Sequence, residues 1–210
     1  MEWIFATNPR VARADRRAHR ARWPAPDGRD RIIASMSAYG VAIVEHQGAA
    51  YPAAAPYHPS QRYAELPFLG AVDPTNTVYG AVRELFMTLG LDRERHGTPG
   101  WNPLGEFIRP GERVFLKRNM IAHRHRLRDE WDSVITHGSV IRAVADYACL
   151  ALEGRGRLMI GDAPQTDSDW DGLVERMGLA ALRDHLRARH PALAVELLDL
   201  RDEHHVEKDG

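Results

Sequence analysis

Lysine, cysteine and long apolar runs are scarce in this sequence of 210 residues. The single cysteine, Cys149, excludes an internal disulfide and any metal site built from several cysteines of one chain. The formal net charge of -1 predicts no global field that would attract nucleic acid or an acidic membrane. No apolar run approaches the roughly 18 residues of a membrane-spanning helix, and the N-terminus lacks a signal-peptide core. We therefore expect a soluble, cytoplasmic protein.

What is present is an ordinary globular composition that is rich in arginine. The chain contains 44% hydrophobic and 27% charged residues, which suffices for a buried core. Lys117 and Lys208 are its two lysines, so arginine supplies nearly all of the positive charge. We predict an arginine-rich N-terminal arm at 1–30, a single α/β domain at 31–200 and a frayed charged tail at 201–210. Nothing in the composition indicates an oligomeric state.

The spacing of apolar residues predicts strands that alternate with helices. A short β-branched run predicts a strand at 40–46, and short apolar runs predict strands at 113–118, 157–161 and 193–200. Helical spacing predicts helices at about 76–89 and 139–152, and a helical region at about 169–189 that breaks at Gly178. This order predicts an α/β fold with a mostly parallel twisted sheet and helices on both faces, a Rossmann-like three-layer arrangement.

Polar residues follow the predicted strands 113–118 and 157–161 and precede the helix that begins near residue 139. They are Lys117, Asn119, Thr136, His137, Gly138, Ser139, Asp162 and Gln165. Ligands of open parallel sheets bind at the carboxyl ends of the strands. We therefore expect these residues to lie together at one rim of the sheet and to form the functional site.

Lys117 is the most informative of these residues because it ends an apolar strand. An unpaired ammonium group is costly to bury, so this side chain must reach solvent, a carboxylate or an anionic ligand. Two interpretations stay open at this point. Lys117 either forms a structural ion pair with Asp162 or contacts an anionic ligand directly.

The turn before the helix at 139 offers a second possible contact for an anion. Backbone N–H groups and the positive end of a helix dipole suit a carboxylate or a phosphate, and Gly138 would let a ligand approach the backbone. The alternative is that Thr136 or Ser139 simply caps the helix. His137 could act as a general acid or base or as a metal ligand, or it could be a polar surface group.

Acidic residues follow the strand at 157–161. Asp167 and Asp169 could bind a hard cation, or they could stabilise the N-terminus of the next helix. An EF-hand is excluded because the twelfth position from Asp167 is Gly178, where that motif requires glutamate.

Three segments of the chain resemble a known family. They are Val114-Phe115-Leu116-Lys117-Arg118-Asn119, residues 135–144, and Ile160-Gly161-Asp162-Ala163-Pro164-Gln165. These segments are similar to the family of domain of unknown function 362, whose pattern contains Lys-Pro-Asn after a strand, a Thr-His helix start and Gly-Asp-x-Pro after a second strand. The resemblance covers about residues 40–200 and points to the long members found beside polysaccharide or natural-product genes. Arg118 stands where the family pattern has proline.

The resemblance implies an α/β fold and a site at the strand ends, and it leaves the reaction open. Members of the family continue into a second half, so we expect this chain to correspond to an N-terminal half. The leading hypothesis is an enzyme, or half of one, that acts on an anionic metabolite such as a carboxylate or a sugar phosphate in cell-surface polysaccharide or secondary-metabolite biosynthesis. The predicted catalytic residues are Lys117, His137 and Asp162, and the predicted substrate-binding residues are Asn119, Thr136, Gly138, Ser139 and Gln165.

Two alternative functions remain at this stage. One is a non-catalytic binding or scaffold protein that uses the proline-rich segment 47–75 and the arginine-rich start. The other is a metal-dependent enzyme that uses Asp162, Asp167 and Asp169. The leading hypothesis includes no metal, and the sequence indicates no cofactor.

Overall fold

A computed structural model describes residues 2–6, 31–36, 40–46, 49–68, 70–122, 127 and 134–201. The chain divides into two compact units. The first unit comprises Met1–Ala53 and His58–Phe107, and the second comprises Ala54–Tyr57 and Ile108–Gly210. The segment 31–200, for which the sequence predicts a single domain, thus contains parts of both units.

The first unit contains an antiparallel sheet. Its strands are β1 (Glu2–Ala6), β2 (Arg31–Met36) and β3 (Gly40–Glu45), in the order β1-β3-β2. The strand predicted at 40–46 is therefore present, but its placement in a mostly parallel sheet is wrong. Only residues 37–39 separate β2 from β3, and a connection this short joins antiparallel neighbours because parallel strands need a longer crossover. Strand β1 was not predicted, and residues 7–30 of the arginine-rich arm lie outside the described residues.

Helix α1 (Val78–Thr88) lies close to the helix predicted at 76–89. It ends where Gly90 adopts a φ of 75°, and the N–H of Leu91 donates to the carbonyl of Phe86 at 3.1 Å. A left-handed glycine with this hydrogen bond is a common helix terminator. The apolar side of α1 packs in a buried cluster made of Ala42, Val44, Ala81 and Leu85.

Arg83 of α1 holds the proline-rich segment by charge and by ring contacts. Its Nε donates to Glu65 Oε1 at 2.6 Å and its Nη2 to Glu65 Oε2 at 3.4 Å. Its guanidinium carbon lies 4.9 Å from the ring centroids of both Tyr63 and Trp101. Glu65 is only 1% exposed, so the contact with Arg83 offsets part of the cost of burying a carboxylate.

The second unit alternates strands and helices as the sequence predicts. Its elements are β4 (Arg113–Lys117), α2 (Gly138–Ala151), β5 (Gly156–Asp162), α3 (Trp170–Arg176), α4 (Leu179–Arg189) and β6 (Leu193–Asp199). The three strands form a parallel sheet in the order β4-β5-β6. The predicted break at Gly178 separates α3 from α4, and its φ of 62° explains the glycine. This confirms an α/β fold with a small parallel sheet.

One face of this sheet contributes to the core. Leu158, Ile160 and Val195 are buried there, and Cys149 of α2 is a buried core thiol. Phe115, which lies on the opposite face of the sheet, remains 38% exposed. The described residues therefore show an α/β unit. They do not confirm the prediction that helices cover both faces of its sheet. No helix in the described part of the chain is both long enough and apolar enough to span a bilayer.

Candidate functional site

Three chain segments meet at the carboxyl edge of the parallel sheet. Beyond β4 the chain stays extended, and Met120 forms an antiparallel bridge with Ile135, shortly before α2. On its other side, the carbonyl of Ile121 accepts the N–H of Gln165, which follows β5, at 2.9 Å. The ends of β4 and β5 and the approach to α2 are thereby neighbours, as parallel strands with right-handed crossovers require.

Lys117 and Asp162 form an ion pair at this edge. The Nζ of Lys117 lies 3.0 Å from Asp162 Oδ1 and donates to the carbonyl of Arg118 at 3.3 Å. The Lys117 side chain nevertheless keeps 64% of its surface exposed. The structure therefore shows the ion pair that one interpretation of Lys117 requires, and it also leaves the ammonium group accessible to a ligand.

Asp162 is buried and held by several donors. Its Oδ2 accepts the N–H of Met120 at 2.8 Å and its Oδ1 accepts the N–H of Ala163 at 2.9 Å. Burial acts to raise the pKa of Asp162, but hydrogen bonds from Lys117, Met120 and Ala163 and the Lys117 charge together lower it below the usual range. A carboxylate so stabilised is a weak base, and this environment favours a positioning role over the proton transfer that the sequence suggested.

Asn119 and Thr136 contact each other directly. The N–H of Asn119 donates to Thr136 Oγ1 at 3.1 Å, and the N–H of Thr136 donates to the carbonyl of Asn119 at 2.8 Å. Thr136 therefore joins the two segments and does not cap α2. The side chains of Asn119 and Gln165 are exposed at the same edge, where they are open to solvent.

His137 is the N-cap of α2. Its Nδ1 accepts the N–H of Ser139 at 3.2 Å and lies 2.9 Å from Ser139 Oγ. The ring packs against Tyr57 with a centroid distance of 5.1 Å. Because Nδ1 serves as the acceptor of the cap, Nε2 is the nitrogen of His137 that could exchange a proton.

Gly138 is required by its protein neighbours. A Cβ at this position would collide with the carbonyl oxygen of Met177 and would lie 2.5 Å from Tyr57 Cε2. The hydroxyl of Tyr57 donates to that same carbonyl at 3.1 Å, and Ser139 is fully buried. The sequence attributed Gly138 to the approach of a ligand and assigned an anion to the N–H groups of Gly138 and Ser139. Instead Met177 and Tyr57 cover this turn, and the Ser139 N–H is donated to His137.

Arg118 is the residue of this region that the sequence reasoning missed. It is only 5% exposed, and its Nη1 contacts the sulfur atoms of Met120 and Met177. Its guanidinium carbon lies 5.8 Å from the ring centroid of Trp170. Burial lowers the pKa of Arg118 to about 10, and the charge of Asp162 acts in the opposite direction. The available signal was the arginine at the position where the family pattern has proline.

The acidic segment after β5 does not assemble a cation site. Within the described residues, which include Asp162, Asp167 and Asp169, no three His, Cys, Asp or Glu side chains are grouped closely enough to hold a metal ion. The side chains of Asp167 and Asp169 are exposed. The arrangement therefore gives the metal-dependent alternative no support.

The second unit is therefore an α/β unit with a small parallel sheet. At the carboxyl edge of this sheet, Lys117 pairs with Asp162 and its side chain remains largely exposed. A scan against protein-family models and searches of curated proteins and of solved structures give no match. The family suggested by the three sequence segments therefore stays a prediction.

Proposed function

We propose that the second unit binds an anionic metabolite, such as a carboxylate or a phosphorylated sugar, at the carboxyl edge of its parallel sheet. In this proposal the protein is an enzyme, or the N-terminal half of one. The observation that carries the proposal is the Lys117 side chain, whose Nζ lies 3.0 Å from Asp162 Oδ1 while 64% of the side-chain surface is exposed. A cation held in one position and open to solvent is well suited to binding a negatively charged group.

The hydrogen bonds of Lys117 leave capacity for a ligand. An ammonium group has three N–H donors, and its two hydrogen-bond partners among the described residues are Asp162 and the carbonyl of Arg118. The two backbone N–H groups on Asp162 already offset part of its charge. The ion pair therefore orients Lys117 without using all of its donors, and the two interpretations of this lysine are compatible.

The remaining predicted residues take different roles in the proposal. Asn119 and Gln165 present exposed amides at the same edge and orient the substrate. His137 supplies proton transfer through Nε2, while Thr136 holds the Asn119 backbone in place. Asp162 keeps the lysine in position and remains ionised.

An exposed apolar patch around Tyr51–Phe68 would favour the scaffold alternative. Tyr57, Tyr63 and Leu66 of that segment are buried, so these three residues do not contribute to such a patch. The Rossmann-like three-layer arrangement rests on the predicted order of strands and helices and remains part of this proposal. A place in polysaccharide or secondary-metabolite biosynthesis rests on the family resemblance and belongs to the proposal only in that sense.

Isothermal titration calorimetry of Lys117→Ala with inorganic phosphate and with acetate tests the proposal. We expect binding about tenfold weaker than in the parent, because a charge-assisted contact is lost. Circular dichroism should show an intact fold, because the Lys117 side chain is 64% exposed and Asp162 keeps the N–H donors of Met120 and Ala163.

Arg113→Ala is the matched control because Arg113 is an exposed cation at the other end of the same strand. It should leave both affinities unchanged. Unchanged affinity in Lys117→Ala, or an equal loss in both variants, would remove Lys117 from the site.

A further inference from the structure

The guanidinium group of Arg118 is buried, and two of its three nitrogens have no hydrogen-bond partner among the described residues. Its Nη1 contacts the sulfur atoms of Met120 and Met177, and sulfur is a weak acceptor. Its Nε and Nη2 have no hydrogen-bond partner among the described residues, although both atoms are inaccessible to solvent. Buried donors of a charged group are normally paired, so this arrangement requires an explanation.

A second buried arginine is better satisfied. Arg142 of α2 is fully buried, and its Nε donates to Asp146 Oδ2 at 2.7 Å while its Nη1 donates to the carbonyl of Pro56 at 2.8 Å. Only its Nη2 has no hydrogen-bond partner among the described residues, and two of its three nitrogens donate to oxygen atoms. Arg118 lies within the electrostatic influence of Asp162 but donates no hydrogen bond to it. The carboxyl oxygens of Asp162 instead accept from Lys117, Met120 and Ala163.

The two unsatisfied nitrogens of Arg118 form a defined recognition surface. Nε and Nη2 lie on one side of the planar guanidinium and direct two N–H groups in parallel, which suits the two oxygens of a carboxylate or phosphate. The same pair of nitrogens binds a carboxylate elsewhere in this chain. Arg83 uses it for Glu65 at 2.6 and 3.4 Å, and Arg201 uses it for Asp199 at 2.9 and 2.5 Å.

We propose that the Nε–Nη2 edge of Arg118 binds two oxygen atoms of an anionic ligand, a carboxylate or a phosphate, at the carboxyl edge of the parallel sheet. This inference deepens the proposed function and rests on it, because it names a second cation of the same site. Lys117, Arg118 and Asp162 together carry one unit of excess positive charge, which a singly charged anionic group would balance. Two adjacent N–H donors select a two-oxygen group over a monatomic anion such as chloride.

Ligand access to Arg118 requires a neighbouring side chain to move. Trp170, at the first position of α3, is only partly buried and lies next to the guanidinium group. The connection that leads to it from β5 has exposed side chains at Gln165, Thr166 and Asp167. The hydroxyl of Ser168, in the same connection, is also buried without a hydrogen-bond partner among the described residues. Displacement of Trp170 would open Arg118 to the ligand.

The Nε–H resonance of Arg118 in a nitrogen-15 NMR spectrum reports this contact directly. Its disappearance in Arg118→Lys assigns it, and the parent is titrated with sodium acetate, inorganic phosphate and sodium chloride at matched ionic strength. We expect acetate and phosphate to shift the resonance to a saturating value, and chloride to leave it nearly unchanged. The Nε–H resonances of Arg83 and Arg201 should stay in place because carboxylates of the chain already occupy them.

Calorimetry with inorganic phosphate completes the test. Arg118→Met fits the sulfur-rich surroundings, keeps the fold and should weaken phosphate binding about tenfold, while Arg118→Lys keeps the charge but loses the paired donors and should also bind more weakly. An Arg118 resonance that stays unmoved by phosphate, or that responds equally to chloride, overturns the inference. If Lys117→Ala weakens binding and Arg118→Met does not, the proposed function stands and this inference fails. The reverse result retains Arg118 and rejects Lys117.

Discussion

Replacing Gly138 by alanine separates two explanations of this glycine, because a ligand and a protein neighbour predict opposite effects on stability. The added methyl group would meet the backbone carbonyl of Met177 and the ring of Tyr57, which is 2.5 Å from the new Cβ. A backbone carbonyl at the end of a helix cannot swing aside as a long side chain can. The N-terminus of α2 and the C-terminus of α3 would therefore have to separate.

The magnitude follows from these contacts. Overpacking of this kind costs about 1–3 kcal/mol, and loss of the Tyr57–Met177 hydrogen bond adds about 1 kcal/mol. The expected total of about 2–4 kcal/mol is a large part of the roughly 5–15 kcal/mol that stabilises a typical domain. It corresponds to a fall in Tm on the order of 10 °C.

Urea and thermal denaturation followed by circular dichroism measure this effect. Gly80→Ala is the matched control because Gly80 lies inside α1 and its Cβ would meet only Tyr63 Oη, at 3.5 Å. That change should stabilise the protein by about 0.5–1 kcal/mol through helix propensity alone. If Gly138→Ala unfolds at the parent's urea concentration, the carbonyl of Met177 does not cover the turn. Close approach of a ligand would then again be the reason for Gly138.

Three further predictions concern the ion pairs and the thiol. The pKa of Asp162 is lower in the folded protein than its unfolded value of about 4, so the stability that Asp162 contributes is present above that value and is lost as pH falls toward the folded pKa. Asp162→Asn should therefore flatten the decline of the urea midpoint between about pH 5 and pH 3. An unchanged decline would contradict this assignment. Arg83→Met removes the cation that pairs with the buried Glu65 and should cost about 2–4 kcal/mol in urea denaturation. Arg155→Met removes a pair with Glu153 in which both side chains are more than half exposed, and it should cost less than about 1 kcal/mol; equal costs would refute the burial argument. Burial raises the pKa of Cys149 well above its ordinary value, so a thiol reagent should label it only as fast as the second unit opens, and rapid labelling of the native protein would show an accessible thiol.

Local sequence signals predicted the elements of the second unit well. The short apolar run at 157–161 and the glycine at 178 act within their own segments, and the structure has β5 at Gly156–Asp162 and a helix break at Gly178. Apolar spacing also identified β3, but it carries no information about strand partners. Antiparallel pairing of β3 with β1 and β2 depends on the hydrogen-bonding neighbours. The apolar run Trp3-Ile4-Phe5-Ala6 of β1 was assigned to the arginine-rich arm at 1–30 and was therefore missed.

The candidate site was predictable only where neighbouring strands bring residues together. Lys117 and Asp162 end adjacent parallel strands, so their contact follows from the topology that the sequence suggested. Gly138 is covered by Met177, at the end of α3, and by Tyr57, in an irregular segment. Both residues are distant from Gly138 in sequence. No periodicity within residues 136–141 could reveal those neighbours.

Arg118 shows why a charged residue cannot be assigned to solvent from sequence alone. Lys117 keeps 64% of its side-chain surface exposed, whereas its neighbour Arg118 is only 5% exposed. Asp162 influences both cations, but its oxygens are occupied by Lys117 and by two backbone N–H groups. A single carboxylate with those partners cannot also satisfy the paired donors of a guanidinium. The donors of Arg118 therefore need oxygens from elsewhere, which is the role that we propose for an anionic ligand.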